Sequence, residues 1–349
     1  MSLNSTGDRP DYFNKDNQHL FSKSLVNWIG YGLVFAIVGI TLTSLASSLL
    51  GWRLIFELLS HFKVQYFVLT LLLCGLLVLT RRKPLILISL FCLSILLIEI
   101  LPWYIPPAWI RSNGSSNLRV LVANINIQNQ SYDKVLALVR NEKPDVAVFM
   151  EIDEAWVKQL NSIADILPAS ITKPNPYNLG IAVYSKQPLE NAKIEFWGNN
   201  KNPTIVGNVT INGQIISLIA THPFPPAKQA FFHSRNAQLD QIGQYIKSLS
   251  TPVVMVGDLN ITMWSPYYKR FIGKTGLSNA RKGFGIQPTW PVKATFSPVP
   301  SYLSLFLSIP LDHCLVSPKI KVAQIYTGPN VGSDHRPLIT DLVIPEKKS

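Results

Sequence analysis

Three apolar stretches crowd into the first 105 residues of this chain, and they limit what it can fold into more than anything that follows. Ile29–Leu50 runs for 22 residues without a charge, Val64–Thr80 for 17, and Pro84–Ile105 contains a single acid, Glu99. A membrane-spanning helix needs roughly 20 apolar residues. The first and third stretches therefore read as spans. The second sits at the lower limit and reads as a span, with a buried or re-entrant helix as its alternative. Trp28, Trp52, Tyr66, Trp103 and Tyr104 stand at the edges, as an aromatic belt would. Residues 1–25 are polar, lack the pattern of a cleavable signal, and are expected to be poorly ordered. With three spans, Arg9, Lys15, Lys23 and the Arg81-Arg82-Lys83 loop share one side, and Arg53, Lys63, Arg111 and Arg119 share the other. The positive-inside rule then makes the N-terminus cytoplasmic and the C-terminal domain extracytoplasmic, a topology that reverses if the middle span is lost.

The remainder behaves differently. Only 15% of the 349 residues are charged, against ~25% in ordinary soluble domains, and the deficit falls on the apolar third. From residue 118 onward the composition is that of a moderately basic globular domain. Its basic balance suits a phosphate-bearing partner, whether nucleic acid, anionic lipid or a phosphorylated substrate, without choosing among them. Cys74 and Cys92 lie in apolar runs and Cys314 stands alone, so neither a disulfide framework nor a cysteine zinc site is expected. The chain divides into a polar tail (1–25), a transmembrane region (26–105, with spans near 29–50, 64–80 and 84–105), a Pro/Gly/Ser linker (106–117) and a catalytic domain (118–345). No protein partner is suggested.

Within 118–345, short apolar runs end on chemically useful groups. Pro252–Gly257 is a strand that delivers Asp258 and Asn260, two residues apart and so on one face. Strands are likewise expected over Leu118–Ala123 with Asn124 at the end, Asp145–Met150 ending on Glu151, and Leu179–Tyr184. Thr204–Thr210 and Gln214–Thr221 read as a hairpin turning at Asn212-Gly213 and running into His222. Asp312–Val316 and Leu338–Ile344 complete the set, the last preceded by Ser333-Asp334-His335. Helical spacing marks Ser131–Asn141 and Ala227–Leu249. Strands mixed with helices and hairpins indicate a layered α/β fold with sheets inside and helices outside.

Oxygen donors at strand ends suit a hard cation such as Mg2+, with Mn2+ as the alternative. Glu151 fits such a ligand, although a carboxylate there is also what caps a buried strand. Asp334 offers a second carboxylate, and Asn124 and Asn260 offer neutral groups for metal or phosphate. His335 fits a general base, with Asp312 to orient it. His222 fits a group that stabilises the charge developing on phosphorus or protonates the leaving oxygen. His19, His61, His233 and His313 read as structural. Arg235, Arg270, Arg281 and Lys282 read as solvated surface charges.

Taken together, Asn124, Asp145-Val-Ala-Val-Phe-Met-Glu151, Thr221-His222, Gly257-Asp-Leu-Asn260, Asp312 and Ser333-Asp-His335 resemble the endonuclease/exonuclease/phosphatase superfamily over roughly residues 118–345. The resemblance implies a four-layered α/β sandwich of the DNase I type with a Mg2+-dependent phosphoesterase site. It implies Glu151 as principal metal ligand with Asn124 and Asp334 beside it, Asp258 and Asn260 on water or phosphate, His335 paired with Asp312, and His222 on phosphate. Asn126 stands where some nucleases place an acid. Thr221-His-Pro-Phe-Pro-Pro226, Trp264-Ser-Pro266 and Pro288-Thr-Trp-Pro291, together with the N-terminal spans, resemble a membrane-anchored bacterial branch that includes proteins linked to teicoplanin resistance. That resemblance implies a multi-pass protein of the bacterial inner membrane acting on a lipid-linked phosphate or pyrophosphate. A surface nuclease and a non-catalytic membrane-bound binding protein remain the other two readings.

Overall fold

A computed structural model describes residues 12–107, 110–112, 114–294 and 299–346, with side chains from Ser24 onward. The tail residues 1–11, part of the expected linker and the side chain of His19 lie outside this description. The chain forms two compact units. One comprises the residues up to Leu45 together with Tyr66–Ile98, and the other comprises Ala46–Gln65 and everything from Glu99 onward.

Four helices open the chain: α1 (Tyr12–Leu50), α2 (Leu54–Ser60), α3 (Lys63–Val78) and α4 (Lys83–Ile98). Helix α1 already includes residues 12–25, which composition alone assigned to a disordered tail. Ser24–Leu50 and Lys83–Trp103 are long and apolar enough to cross a membrane. The middle run differs. Helix α3 has 16 residues, about 24 Å at the helical rise, short of a ~30 Å hydrocarbon core. It bends by 61° from α2 across His61 and Phe62, and only the bent pair taken together has the length of a span. In the first unit Phe35 and Leu79 are exposed, while Ile37, Cys74, Leu77 and Cys92 form a small interior.

The second unit is a four-layered α/β sandwich. Its strands are β1 (Leu118–Asn124), β2 (Val146–Met150), β3 (Ala169–Lys173), β4 (Ile181–Ser185), β5 (Glu190–Trp197) and β6 (Asn202–Ile211). They continue with β7 (Gln214–Thr221), β8 (Val253–Asp258), β9 (Ser278–Asn279), β10 (Asp312–Val316), β11 (Lys321–Thr327) and β12 (Leu338–Val343). One sheet has the order β11-β12-β1-β2-β4-β3 and the other β5-β6-β7-β8-β10-β9. Each contains one parallel pair at its centre, β1 with β2 and β7 with β8. The first pair is joined through helix α5 (Tyr132–Glu142) and the second through helix α7 (Gln229–Ser248). Helix α6 (Glu154–Leu160) joins α5 against the first sheet, and α8 (Pro266–Thr275) and the short α9 (Ser301–Leu307) complete the set.

The alternation of the strands builds two cores. Val120, Val122, Val148, Leu218, Val254 and Val316 meet between the sheets. Leu121, Ala147 and Phe149 point the other way, against Val135, Leu138 and Trp156 of α5 and α6. Full burial of each such aliphatic side chain contributes roughly 1.5–3 kcal/mol. The hairpin between β6 and β7 turns at Asn212 and Gly213, both at positive φ, as a two-residue loop of that twist requires. At the far end of the second sheet, β7 and β8 approach so closely that a Cβ on Gly257 (φ +145°) would lie 1.8 Å from the Thr221 carbonyl oxygen. Only glycine fits where Asp258 is delivered.

The eight strands expected from sequence are the eight inner ones. The four that composition does not reveal, β3, β5, β9 and β11, are the four edges. Edge strands bury less; β5 is mostly exposed and lacks a continuous apolar run. Helices α6, α8 and α9 also escape the periodicity.

Candidate active site

The two parallel pairs end at the same place, and their last residues meet. Asn124 closes β1, and its Nδ2 donates to Glu151 Oε1 at 2.9 Å and to Asp258 Oδ2 at 3.1 Å. One amide thereby bridges the two sheets. Glu151, at the exit of β2, turns through a left-handed backbone (φ 58°) with its N–H donating to the Gly180 carbonyl. Asp258 Oδ1 accepts from the Asn260 N–H at 2.9 Å. Its Oδ2 lies 3.7 Å from His222 Nε2 and 3.5 Å from His335 Nε2. Asn260, also left-handed (φ 51°), reaches the Pro223 carbonyl and lies 3.3 Å from His222 Nε2.

Asp312 is the direct cross-strand partner of Asp258. Its Oδ2 holds His335 Nδ1 at 2.8 Å, while its N–H donates to Thr289 Oγ1. Ser333 ties the loop before β12 to the end of β1: its hydroxyl donates to the Asn124 carbonyl and accepts from the His335 N–H. Asp334 Oδ1 accepts from Asn126 Nδ2 at 2.8 Å and Oδ2 from Trp290 Nε1 at 3.0 Å. All eight strand-end residues singled out from sequence thus belong to one hydrogen-bonded and ionic network, Asp334 joining through Asn126. The amide at 126, where some nucleases place an acid, is engaged as a donor to a carboxylate.

Burial and charge set the protonation of this network. Burial disfavours a charged His335, but the Asp312 and Asp258 carboxylates outweigh it and push its pKa up to about 10. His335 is therefore an imidazolium at neutral pH. Burial raises the Glu151 pKa despite His222 and the Asn124 amide, marking a carboxylate short of positive charge. The donor set fits a hard divalent cation: Glu151 and Asp334 offer carboxylate oxygens close to one another, and Glu151 is buried and short of positive charge. Asp258, Asp312 and His335 also bring one ligand atom each within 4.8 Å of one another. A cation among those three would face the His335 imidazolium, whereas Glu151 is a carboxylate short of positive charge and the better-suited anchor.

Glu151, Asp258, Asn260, Asp334 and His335 of this network line a cavity of about 650 Å³, together with Asn126 and Trp290. Its apolar lining comes from Pro225, Pro226, Ile309, Leu311 and, from the segment before α3, Leu58 and Phe62. His61, read as structural, lines this cavity too. His313 is turned away as strand alternation requires: its Nε2 sits 2.8 Å from the Ile261 carbonyl, and burial pushes its pKa down to about 3. Two of the arginines are not solvated. Arg235 and Arg281 are fully buried, and Arg235 Nη1 donates to the Asn260 carbonyl at 2.8 Å. Arg281 stays cationic beside Asp312 although burial lowers its pKa to about 10. Arginine on a helix, as at 235, or in a turn, as at 281, reads as outward-facing, so no local pattern discloses either. Trp264 is buried, with Nε1 donating to the Glu99 carbonyl.

A sequence profile of the Endonuclease/Exonuclease/phosphatase family matches residues 121–335. No curated protein matches the chain. Among solved structures, the chain is similar to D. rerio TDP2 complexed with single strand DNA product (TM-score 0.53, 16% identity, 64% of this chain and 98% of that one). It is also similar to endonuclease/exonuclease/phosphatase proteins of Beutenbergia cavernae (TM-score 0.51, 19% identity, 66% and 72%) and Bacteroides vulgatus (TM-score 0.52, 17% identity, 65% and 99%). At these identities the likeness is one of fold.

Proposed function

Because the chain belongs to the endonuclease/exonuclease/phosphatase family, a family of metal-dependent phosphoester hydrolases, we propose that it hydrolyses a phosphoester or pyrophosphate on a lipid-linked substrate at the bacterial inner membrane. The observation that carries this reading is the mixed polar and apolar lining of the cavity. Its lining joins Glu151, Asp258, Asp334, His335 and asparagines to apolar side chains, two of which (Leu58 and Phe62) lie, with His61, just before α3. A phosphate head joined to an apolar chain matches that mixture. A cytoplasmic N-terminus and an extracytoplasmic catalytic domain follow from the basic residues only with three spans, that is, with the middle apolar run crossing the bilayer despite the shortness of α3.

Mg2+, or Mn2+ in its place, would be held by Glu151 with Asp334 nearby, and when bound it supplies charge to a phosphoryl oxygen and acidifies water. Asn124 presents its nitrogen, not its oxygen, to Glu151 and Asp258, which supports a role in positioning the two carboxylates rather than in binding the ion. The charge balance also supports a division of labour different from a His335 base. Asp258, oriented by the Asn260 N–H, is the group suited to take the proton from the attacking water. His335, kept protonated by Asp312, donates to the phosphoryl oxygen on which charge develops. His222 and the Asn260 amide hold a second oxygen.

The test uses full-length protein in detergent with Mg2+. Phosphate release from a polyprenyl pyrophosphate is followed beside nicking of plasmid DNA, with EDTA and Glu151→Ala as controls. Metal-dependent turnover of the lipid alone is the expected result. Nicking alone moves the protein to the nucleases, and silence on both with every metal tried revives the binding-protein reading.

A further inference from the structure

The family match begins at residue 121, yet the compact unit that holds the site also includes Ala46–Gln65. These residues contribute a buried charge. Glu57 of α2 and Arg235 of α7 are both fully buried and 178 residues apart in sequence, and Arg235 Nη2 donates to Glu57 Oε1 at 2.9 Å. The same carboxylate oxygen accepts from Ser265 Oγ at 2.9 Å. One turn on, His61 Nδ1 lies 2.9 Å from Thr262 Oγ1 and its Nε2 3.5 Å from Glu57 Oε2. The segment therefore grips the loop after β8 at Thr262 and Ser265 directly, and at Asn260 through Arg235.

Asn260 is where the grip matters. A non-glycine residue at φ 51° persists only when its surroundings over-determine it. Its N–H is held by Asp258 Oδ1 and its carbonyl by Arg235 Nη1, so the peptide groups flanking one Cα are fixed from both directions. The donor that orients the Asp258 carboxylate is thus braced by a guanidinium whose charge is balanced from α2. Without Glu57, Arg235 is a buried cation lacking its carboxylate, a strongly destabilising state.

We infer that the membrane-proximal segment 54–62 is a positioning element of the active site, Glu57 acting through Arg235 on Asn260 and hence on Asp258. The inference rests on the phosphoesterase reading for its kinetic readout and on nothing outside residues 46–65 and 99–346 for its structure.

The experiment uses the full chain in detergent with Mg2+ and the soluble diester bis(p-nitrophenyl) phosphate, with hydrogen exchange of residues 257–265 read in parallel. Glu57→Gln alone can prevent folding, so the deciding variant is the double replacement Glu57→Leu with Arg235→Met, an apolar pair of the kind that buried ion pairs tolerate. It is expected to keep the wild-type Tm and a KM within about 2-fold, to lower kcat by roughly 10- to 100-fold, and to speed amide exchange at 259–262. Glu57→Asp, which retains the charge, is expected to recover kcat to within about 5-fold of wild type. Wild-type kcat and unchanged exchange in the double variant overturn the inference, as does loss of its thermal transition, which assigns the pair to holding the fold. If the wild-type protein hydrolyses no phosphoester, the functional reading fails while exchange in the loop still decides whether the brace exists.

Discussion

The two sheets are built to the same plan and end in different chemistry. Each centres on a parallel pair joined through a helix, β1-α5-β2 in one and β7-α7-β8 in the other, and each delivers polar groups at the C-terminal ends of that pair. The first pair gives Asn124 and Glu151, and the loop entering β12 adds Asp334. The second gives His222 and Asp258, with Asn260 and Asp312 alongside. The first pair ends on a carboxylate short of positive charge, as the raised Glu151 pKa records; the second ends on Asp258, balanced by the His335 imidazolium that the loop entering β12 brings across from the first sheet. The lesson is that duplicating a scaffold duplicates positions, not roles. In the proposed mechanism the cation belongs beside Glu151 and the proton beside Asp258.

That contrast breaks most visibly at Glu151. Glu151→Ala is expected to lower turnover by roughly 10³-fold or more, and titration with Mn2+ followed by electron spin resonance should show weakened ion binding. Asp258→Asn, in the other half, is expected to lose about 10²- to 10⁴-fold while binding Mn2+ as the wild type does. Equal loss of metal binding in both variants would erase the division. His335→Gln is expected to cost about 10²- to 10³-fold in kcat, and combining it with Asp312→Asn should add little, because the two act as one unit.

The pH dependence sharpens the same point. A His335 pKa of about 10 lies above the unfolded value of ~6.5. Its contribution to stability is therefore complete below pH ~6.5 and is lost as pH rises through about 10. In EDTA, the Tm of the wild type should fall across that window, and Asp312→Asn should shift the fall to lower pH. The smallest effect is expected from Trp290→Phe, which removes one donor to Asp334: a loss of about 5-fold in kcat, corresponding to one neutral hydrogen bond.

Much of this was readable in the sequence because inner strands carry their own signature. Val253–Val256 is apolar on both faces, Gly257 permits the close approach of β7, and Asp258 emerges where the strand ends. The edges hide because they are half-solvated and need no such run. The second apolar stretch misleads for a related reason: composition does not show that a helix starting at Lys63 ends at Val78 and bends from its predecessor. Arg235 and Arg281 were hidden by their chemistry. A guanidinium is assigned to solvent until its partner is known, and Glu57 is 178 residues from Arg235. Thr289, which accepts the Asp312 N–H, gave no signal beyond lying in Pro288-Thr-Trp-Pro291.

The pairing of Glu57 with Arg235 has a consequence for synthesis. At elongation rates of about 5–20 residues per second, the 178 residues between them take roughly 9–36 seconds to translate. Throughout that interval Tyr66–Ile98 is available for membrane insertion, while the acid just upstream has no guanidinium to meet. The catalytic unit is discontinuous along the chain, so its first segment emerges early and waits for the rest. If these helices insert in a membrane, as the proposed function requires, insertion can precede assembly, and the active-site brace then forms on a chain already tethered.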